Sequence, residues 1–329
     1  MNNIQETGFH SMMKQLYGDF GVDSEVGRLR RVLMRRPGKE IEGITDPAAV
    51  AMKEIWDVGK VREEHDALAE IYRSNGVERF RAQHDALTEI YRKYGVVVHY
   101  IEEQREDRPN ALFCRDLVFM TPEGAIVARP AAGCRIGEEV YAARQLAKLG
   151  VPIIKTINGD GIFDGACCLW MDRKTCMLGY GKRCNPSAAA QVEEELRNMG
   201  VEHLIKVEIP RGMAHLDSFM AFADLKVALV LKIAAPDTIY RELEEREFNI
   251  VDIPDYEEFG RFCQNFVALE PGKIVMPTGC PKTVSALEKA GVECMQLDVS
   301  EIMKGNGAIH CMTAFLKRDD IPVYEVKED

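Results

Sequence analysis

The chain has 329 residues, 46% apolar and 29% charged, an ordinary globular balance rather than that of a disordered or fibrous protein. Its 42 basic and 53 acidic side chains leave a net charge of −11, which repels phosphate backbones and anionic membranes and favours cationic ligands, so neither nucleic acid nor a membrane is an expected partner. Ten cysteines without a C-x-x-C pair disfavour a disulfide scaffold or a structural zinc site and predict free thiols used as small apolar groups.

The N-terminal stretch "MNNIQETGFHSMMKQLYGDF" is polar and mixed in charge and has no apolar core of the signal-peptide kind. The longest apolar runs, such as "VALVLKIAAP", fall short of the ~20 residues that span a bilayer, and the expected compartment is the cytoplasm. Length alone allows about two domains of ~150 residues. No linker rich in Pro, Gly or Ser divides the chain, so it reads as one domain, 26–329, behind an N-terminal extension, 1–25.

A strand is expected at "RLRRVLMRRP". A tandem duplication follows within 62–97, where "REEHDALAEIYRSNGV" returns nineteen residues later as "RAQHDALTEIYRKYGV" with eleven of sixteen positions identical. It predicts an extended surface helix or a helical hairpin, with His65 and His84 as surface residues. From there a helical stretch, a turn and a short β-branched run recur: "IYRKYGVVVHYIEE", "LAKLGVPIIKT", "LRNMGVEHLIKVEI", "LEEREFNIVDIPD" and "LEKAGVECMQLDV". Four of the five turns are Gly-Val, at Gly95, Gly150, Gly200 and Gly291, the pattern of a helix C-cap leading directly into a strand. The fourth copy lacks the glycine. Further strands are expected in "ALFCRDLVFM", "GAIVARP", "KTCMLGYG", "KVALVLKIA", "GKIVMP" and "IHCMTAFLKR". The alternation indicates α/β, and five modules that cannot each bury an apolar face alone would bury it in a ring.

Several polar residues stand out against this frame. "NALFCRDLVF" puts Arg115 and Asp116 in an otherwise apolar strand, where a buried charge requires a partner. In "GDGIFDGACCLWMD" small residues leave room beside Asp164, although a turn carboxylate capping its own backbone is the competing account. If "HLDSF" is a strand, His215 and Asp217 point to one face. His10, His99 and His203 have no acidic or cysteine neighbour at a telling spacing and fit solvated or core roles. In "GNGAIHCMTAFLKR" Cys311 follows two glycines and a histidine. It is either a core thiol or a working one that glycines let a ligand approach.

Together "FCRD", "FDGAC", "HLD" and "GAIHCMT" resemble the guanidino-group modifying enzymes, the superfamily of arginine and agmatine deiminases, dimethylargininase and amidinotransferases. The resemblance runs from "GRLRRVLMRRPG" to "IHCMTAFLKR" and implies a five-bladed, pseudo-fivefold α/β propeller of the pentein type. It implies Cys311, His215 and Asp164 as catalytic residues and Asp116, Asp217, Arg183, Arg135 and Asn110 as substrate-binding ones. Arg183 comes from "GYGKRCN", Arg135 from "GCRIGEE" and Asn110 from the stretch ahead of "FCRD". Arginine deiminases carry Glu in place of Asp164, and many relatives carry a second acid in place of Cys167, so the reaction class stays open.

The chemistry needs these residue types. A guanidinium is a planar cation with paired N–H donors, which two carboxylates fix by charge-assisted bonds while its carbon faces the thiolate. A histidine protonates the leaving nitrogen and then deprotonates the acceptor. Neither course needs a metal or another cofactor. With water as acceptor the enzyme is a deiminase or dihydrolase acting on arginine or a related small guanidino compound. With an amine it is an amidinotransferase, and a propeller without catalysis, serving as scaffold, is the third reading. Oligomeric state is left open, a homo-oligomer included.

Overall fold

The computed structural model describes residues 9–42, 44, 48–52 and 66–325. The start of the duplication, with His65, lies outside the described residues, as do 1–8 and 326–329. Strand β1 (Leu29–Met34) lies parallel to β2 (Val97–Tyr100). Four further three-stranded sheets follow: β3 (Val118–Thr121), β4 (Gly124–Val127) and β5 (Ile153–Thr156); β6 (Cys168–Asp172), β7 (Thr175–Tyr180) and β8 (His203–Glu208); β9 (Met220–Asp224), β10 (Val227–Val230) and β11 (Asn249–Asp252); and β12 (Val267–Glu270), β13 (Lys273–Pro277) and β14 (Glu293–Leu297). Finally β15 (Ala314–Arg318) returns antiparallel to β1, so the C-terminal strand completes the first sheet and closes the ring. The molecule is a five-bladed α/β propeller.

Each blade repeats one plan. An inner strand pairs antiparallel with the central strand, and a helix then carries the chain to an outer strand parallel to it. Central strands are buried on both faces, which is why "GAIV" and "VALV" are continuous apolar runs, whereas outer strands such as "HLIKVE" alternate. The connecting helices bury one stripe: Ala188, Val192 and Leu196 on the helix Pro186–Asn198, Ile239 and Leu243 on Asp237–Glu244. The former starts with Asn185, whose side chain accepts the Ala188 N–H at 3.0 Å, and Pro186 at its first position.

The four Gly-Val stops are left-handed C-caps, with φ between +76° and +90°. In the fourth blade Glu247 takes that conformation at φ +57°, a backbone state that L residues adopt at a cost.

Both described parts of the duplication lie on one helix of 28 residues, Asp66–Lys93. His84 is not a surface residue. It is fully buried in a stripe with Phe80, Leu87 and Tyr91, and burial holds its pKa below the usual value. Within the expected N-terminal extension, residues 21–25 pack against the blades. Gly21 bridges to Lys317, the Val22 N–H donates to the Thr121 carbonyl, and Glu25 is buried near the axis. Among the described residues no helix is long and apolar enough to cross a membrane, and all ten cysteines are free.

Candidate active site

The chain reaches the axis in the short turn that precedes the inner strand of each blade. Asp116 ends the one-turn helix Cys114–Asp116 ahead of β3. Asp164 directly precedes the turn Gly165–Cys167 ahead of β6, with its side chain free of that turn's backbone, and His215 directly precedes Leu216–Ser218, with Asp217, ahead of β9. Asn265 lies two residues before β12, and Cys311 is on Ile309–Met312 ahead of β15. Two of the expected strands therefore begin as helical turns, and "HLDSF" is not a strand. His215 and Asp217 nonetheless share a pocket, because the turn at Ser218, whose hydroxyl accepts the His215 N–H at 3.1 Å, folds them together.

Close packing of these turns needs glycine at two places. A Cβ on Gly165 would stand 2.6 Å from the Arg115 carbonyl oxygen, so the turns bearing Asp116 and Asp164 could not meet. A Cβ on Gly307 would stand 2.6 Å from the Phe113 ring, a wall of the cavity. The glycines before Cys311 thus serve the approach of an aromatic wall.

The turns surround a cavity of about 350 Å³ lined by Phe113, Asp116, Arg183, His215, Asp217 and Cys311 among others. His215 Nε2 lies 3.0 Å from Asp164 Oδ2, and its Nδ1 faces the cavity, 3.7 Å from both Asp116 Oδ1 and Asp217 Oδ1. Burial works against an imidazolium here. The carboxylates of Asp116, Asp164 and Asp217 outweigh it and raise the pKa to about 9. A raised histidine pKa contributes stability that is complete below the unfolded value near ~6.5 and lost as pH rises through the folded one. The urea midpoint of the wild-type protein is therefore expected to fall between pH 6.5 and pH ~9.5 more than that of His215→Gln. Parallel pH dependences in equilibrium unfolding would contradict the charged assignment.

Asp164 is fully buried behind the imidazole, where it also accepts the Ala131 N–H at 3.1 Å and Arg183 Nη1 at 3.3 Å. It is not among the residues that line the cavity and meets His215 from behind. Burial raises its pKa, but His215 and the nearby arginines hold it below the usual carboxylate value.

Arg135 lies at the cavity wall, but its guanidinium is already engaged. Its guanidinium is buried and donates to Asp116 Oδ2, to Glu138 Oε2 at 2.8 Å and to the carbonyls of Asn110 at 3.3 Å and Phe113 at 2.9 Å. It fixes one oxygen of Asp116. The other, Oδ1, is buried in the cavity wall without a hydrogen-bond partner. Asn110 faces the cavity, and its amide donates to the Val50 carbonyl. Arg183 is the partly exposed guanidinium of the wall, with 24% of its side chain accessible.

Cys311 Sγ receives the Asn265 side-chain N–H at 3.1 Å. Burial, then Asp217 and Asp116, push its thiol well above the ordinary value.

Sequence reasoning passed over the groups behind Asp217. Its Oδ2 accepts from His310 Nδ1 at 2.8 Å, His310 Nε2 faces Glu25 Oε2 at 3.4 Å, and Glu25 Oε1 accepts from Arg115 Nη2 at 3.0 Å. Burial disfavours charge on His310 and Glu25, but these partners restore it, raising the histidine and lowering the acid. Arg115 thereby has its expected ion pair. The adjacency of His310 to Cys311 was the available signal. Asp116, Asp164 and His215 bring donor atoms within 4.8 Å of one another, as a metal site would, but here an imidazole sits between acids that also take arginine N–H groups.

The family model for N,N dimethylarginine dimethylhydrolase, eukaryotic, matches residues 53–318. The N(G),N(G)-dimethylarginine dimethylaminohydrolase of Pseudomonas aeruginosa is 24% identical over 206 residues, 62% of this chain and 76% of that protein. The solved structure of the Pseudomonas aeruginosa enzyme, as a cysteine-to-serine mutant with citrulline, superposes with a TM-score of 0.66 at 21% identity over 88% of this chain and 99% of that one. The amidinotransferase SxtG from Microseira wollei superposes with a TM-score of 0.72 at 13% identity over 93% of this chain and 99% of its own.

Proposed function

The chain belongs to the eukaryotic N,N-dimethylarginine dimethylhydrolase family, within the guanidino-modifying enzymes that act on amidine C–N bonds, and from that premise we propose that it hydrolyses arginine or a methylated arginine through a covalent amidino-cysteine. The observation that carries this reading is the half-buried Cys311 facing His215 across a cavity walled by two carboxylates, one of them with a buried oxygen that accepts no hydrogen bond. A guanidinium fits that wall. Its N–H pairs would meet Asp116 Oδ1 and Asp217, and Arg183 suits a carboxylate at the other end of an amino-acid substrate.

Burial first, and then the carboxylates of Asp217 and Asp116, raise the pKa of the Cys311 thiol. A bound cation cancels the two carboxylates, the thiol proton passes to solvent, and the thiolate attacks the guanidinium carbon. His215 Nδ1, directed into the cavity by the Asp164 bond on Nε2, protonates the departing nitrogen as the C–N bond breaks. Neutral His215 next takes a proton from water, whose oxygen adds to the amidino carbon. The C–S bond breaks, the departing sulfur takes the proton of the new hydroxyl, and a ureido product and the Cys311 thiol result.

Amidino transfer is the second reading, favoured by the superposition on SxtG. Incubation with arginine and with dimethylarginine, each with and without glycine or ornithine, separates them. Hydrolysis gives citrulline and ammonia or dimethylamine with no amine acceptor present. Product that appears only with an acceptor would overturn the hydrolase reading.

A further inference from the structure

Four blades send the nucleophile, the imidazole or an acid to the axis, and the fifth sends Asn265, which is 3% exposed. Its Oδ1 accepts the backbone N–H of His310 at 2.9 Å and that of Cys311 at 3.3 Å. Those two bonds fix the amide orientation, so the group 3.1 Å from Cys311 Sγ is the amide nitrogen. The turn that delivers it is held on both sides. The Asn265 N–H closes onto the Phe262 carbonyl at 2.9 Å with Phe262 at φ +59°, a strained state that persists only where its surroundings impose it. Its neighbour Gln264 donates to the Ser218 carbonyl at 3.1 Å, tying this turn to the one bearing His215 and Asp217.

The charged groups facing the sulfur are Asp116 and Asp217, with Arg135 and His310 behind them, and His215 across the cavity. Of these, His215 changes charge as its proton moves, and Asp116 and Asp217 gain a partner when a cation binds. An amide N–H does not titrate, so it acts on the sulfur alike before attack and when the C–S bond breaks and the electron pair returns to sulfur. Building on the cysteine-hydrolase reading, we infer that Asn265 is a catalytic residue: its amide donates to the Cys311 thiolate, stabilises it as nucleophile and as leaving group, and aims it at the guanidinium carbon.

Two variants of the full chain test this. Asn265→Asp keeps the oxygen that accepts both backbone N–H groups and replaces the donor by a carboxylate, whereas Asn265→Ala removes both. Cys311 alkylation by iodoacetamide is followed by peptide mass spectrometry between pH 7 and pH ~10 without substrate. Both variants should alkylate Cys311 about tenfold more slowly at each pH, with kcat reduced by about 10- to 100-fold and KM changed less than about threefold. A wild-type alkylation profile in the folded Asp variant overturns the inference, whether activity survives or is lost. If the wild-type protein turns over no guanidino compound, the hydrolase reading falls, and the alkylation rates still decide Asn265.

Discussion

Cys311→Ala is expected to lower turnover by about 10⁴-fold or more while leaving the propeller folded. No other thiol can substitute. Of the remaining nine cysteines, seven are fully buried, and neither half-buried one, Cys134 or Cys294, lines the cavity. The substitution takes a single sulfur from a half-buried position at the cavity wall, and with it goes a thiol disfavoured as an anion by two carboxylates. The change in unfolding free energy should stay within about 1 kcal/mol. The measurement pairs product formation with a urea unfolding curve, so that lost activity is not mistaken for lost structure. Turnover within tenfold of wild type in the alanine variant would falsify the covalent mechanism.

The fold was legible where one residue type has one use. Gly95, Gly150, Gly200 and Gly291 mark helix ends because only glycine takes φ near +80° freely, and each is followed by an outer strand. Glu247 occupies the same conformation, held by the fold around it, and no sequence rule points to it. Inner strands were harder. β6, β9 and β12 are short and mostly buried, so they carry no clear alternation to mark them as strands. The site divides the same way. A cysteine, a histidine and three aspartates in small or apolar surroundings are unusual enough to be noticed singly. What Arg135, His310, Glu25 and Asn265 do depends on which residue 19 to 285 positions away lies against them. Arg135 shows the consequence. Residue type alone marks it as a ligand for a carboxylate, and the carboxylate it holds is Asp116.

Asp217→Asn should give two effects of opposite sign, and that pairing makes it informative. Asp217 lies between His310, at 2.8 Å from Oδ2, and the cavity, where Oδ1 is 3.7 Å from His215 Nδ1. Burial raises the pKa of Asp217, yet His310 and His215 hold it below the usual value, so it is a charged acceptor at neutral pH. Its replacement by an amide turns a charge-assisted bond to the substrate guanidinium into a neutral one, at a cost of about 1.5–3 kcal/mol. KM should rise about 10- to 100-fold. Cys311 meanwhile loses the carboxylate that most disfavours its thiolate after burial itself. Alkylation of Cys311 in the absence of substrate should therefore be faster than in wild type, even as catalysis at low substrate concentration is slower. A cavity merely loosened by the substitution would not separate the two readouts in this way, because disorder would weaken binding without removing one chosen charge from the sulfur. Unchanged KM, or slower alkylation beside a raised KM, would take Asp217 out of the guanidinium site and leave it as a partner of His310 alone.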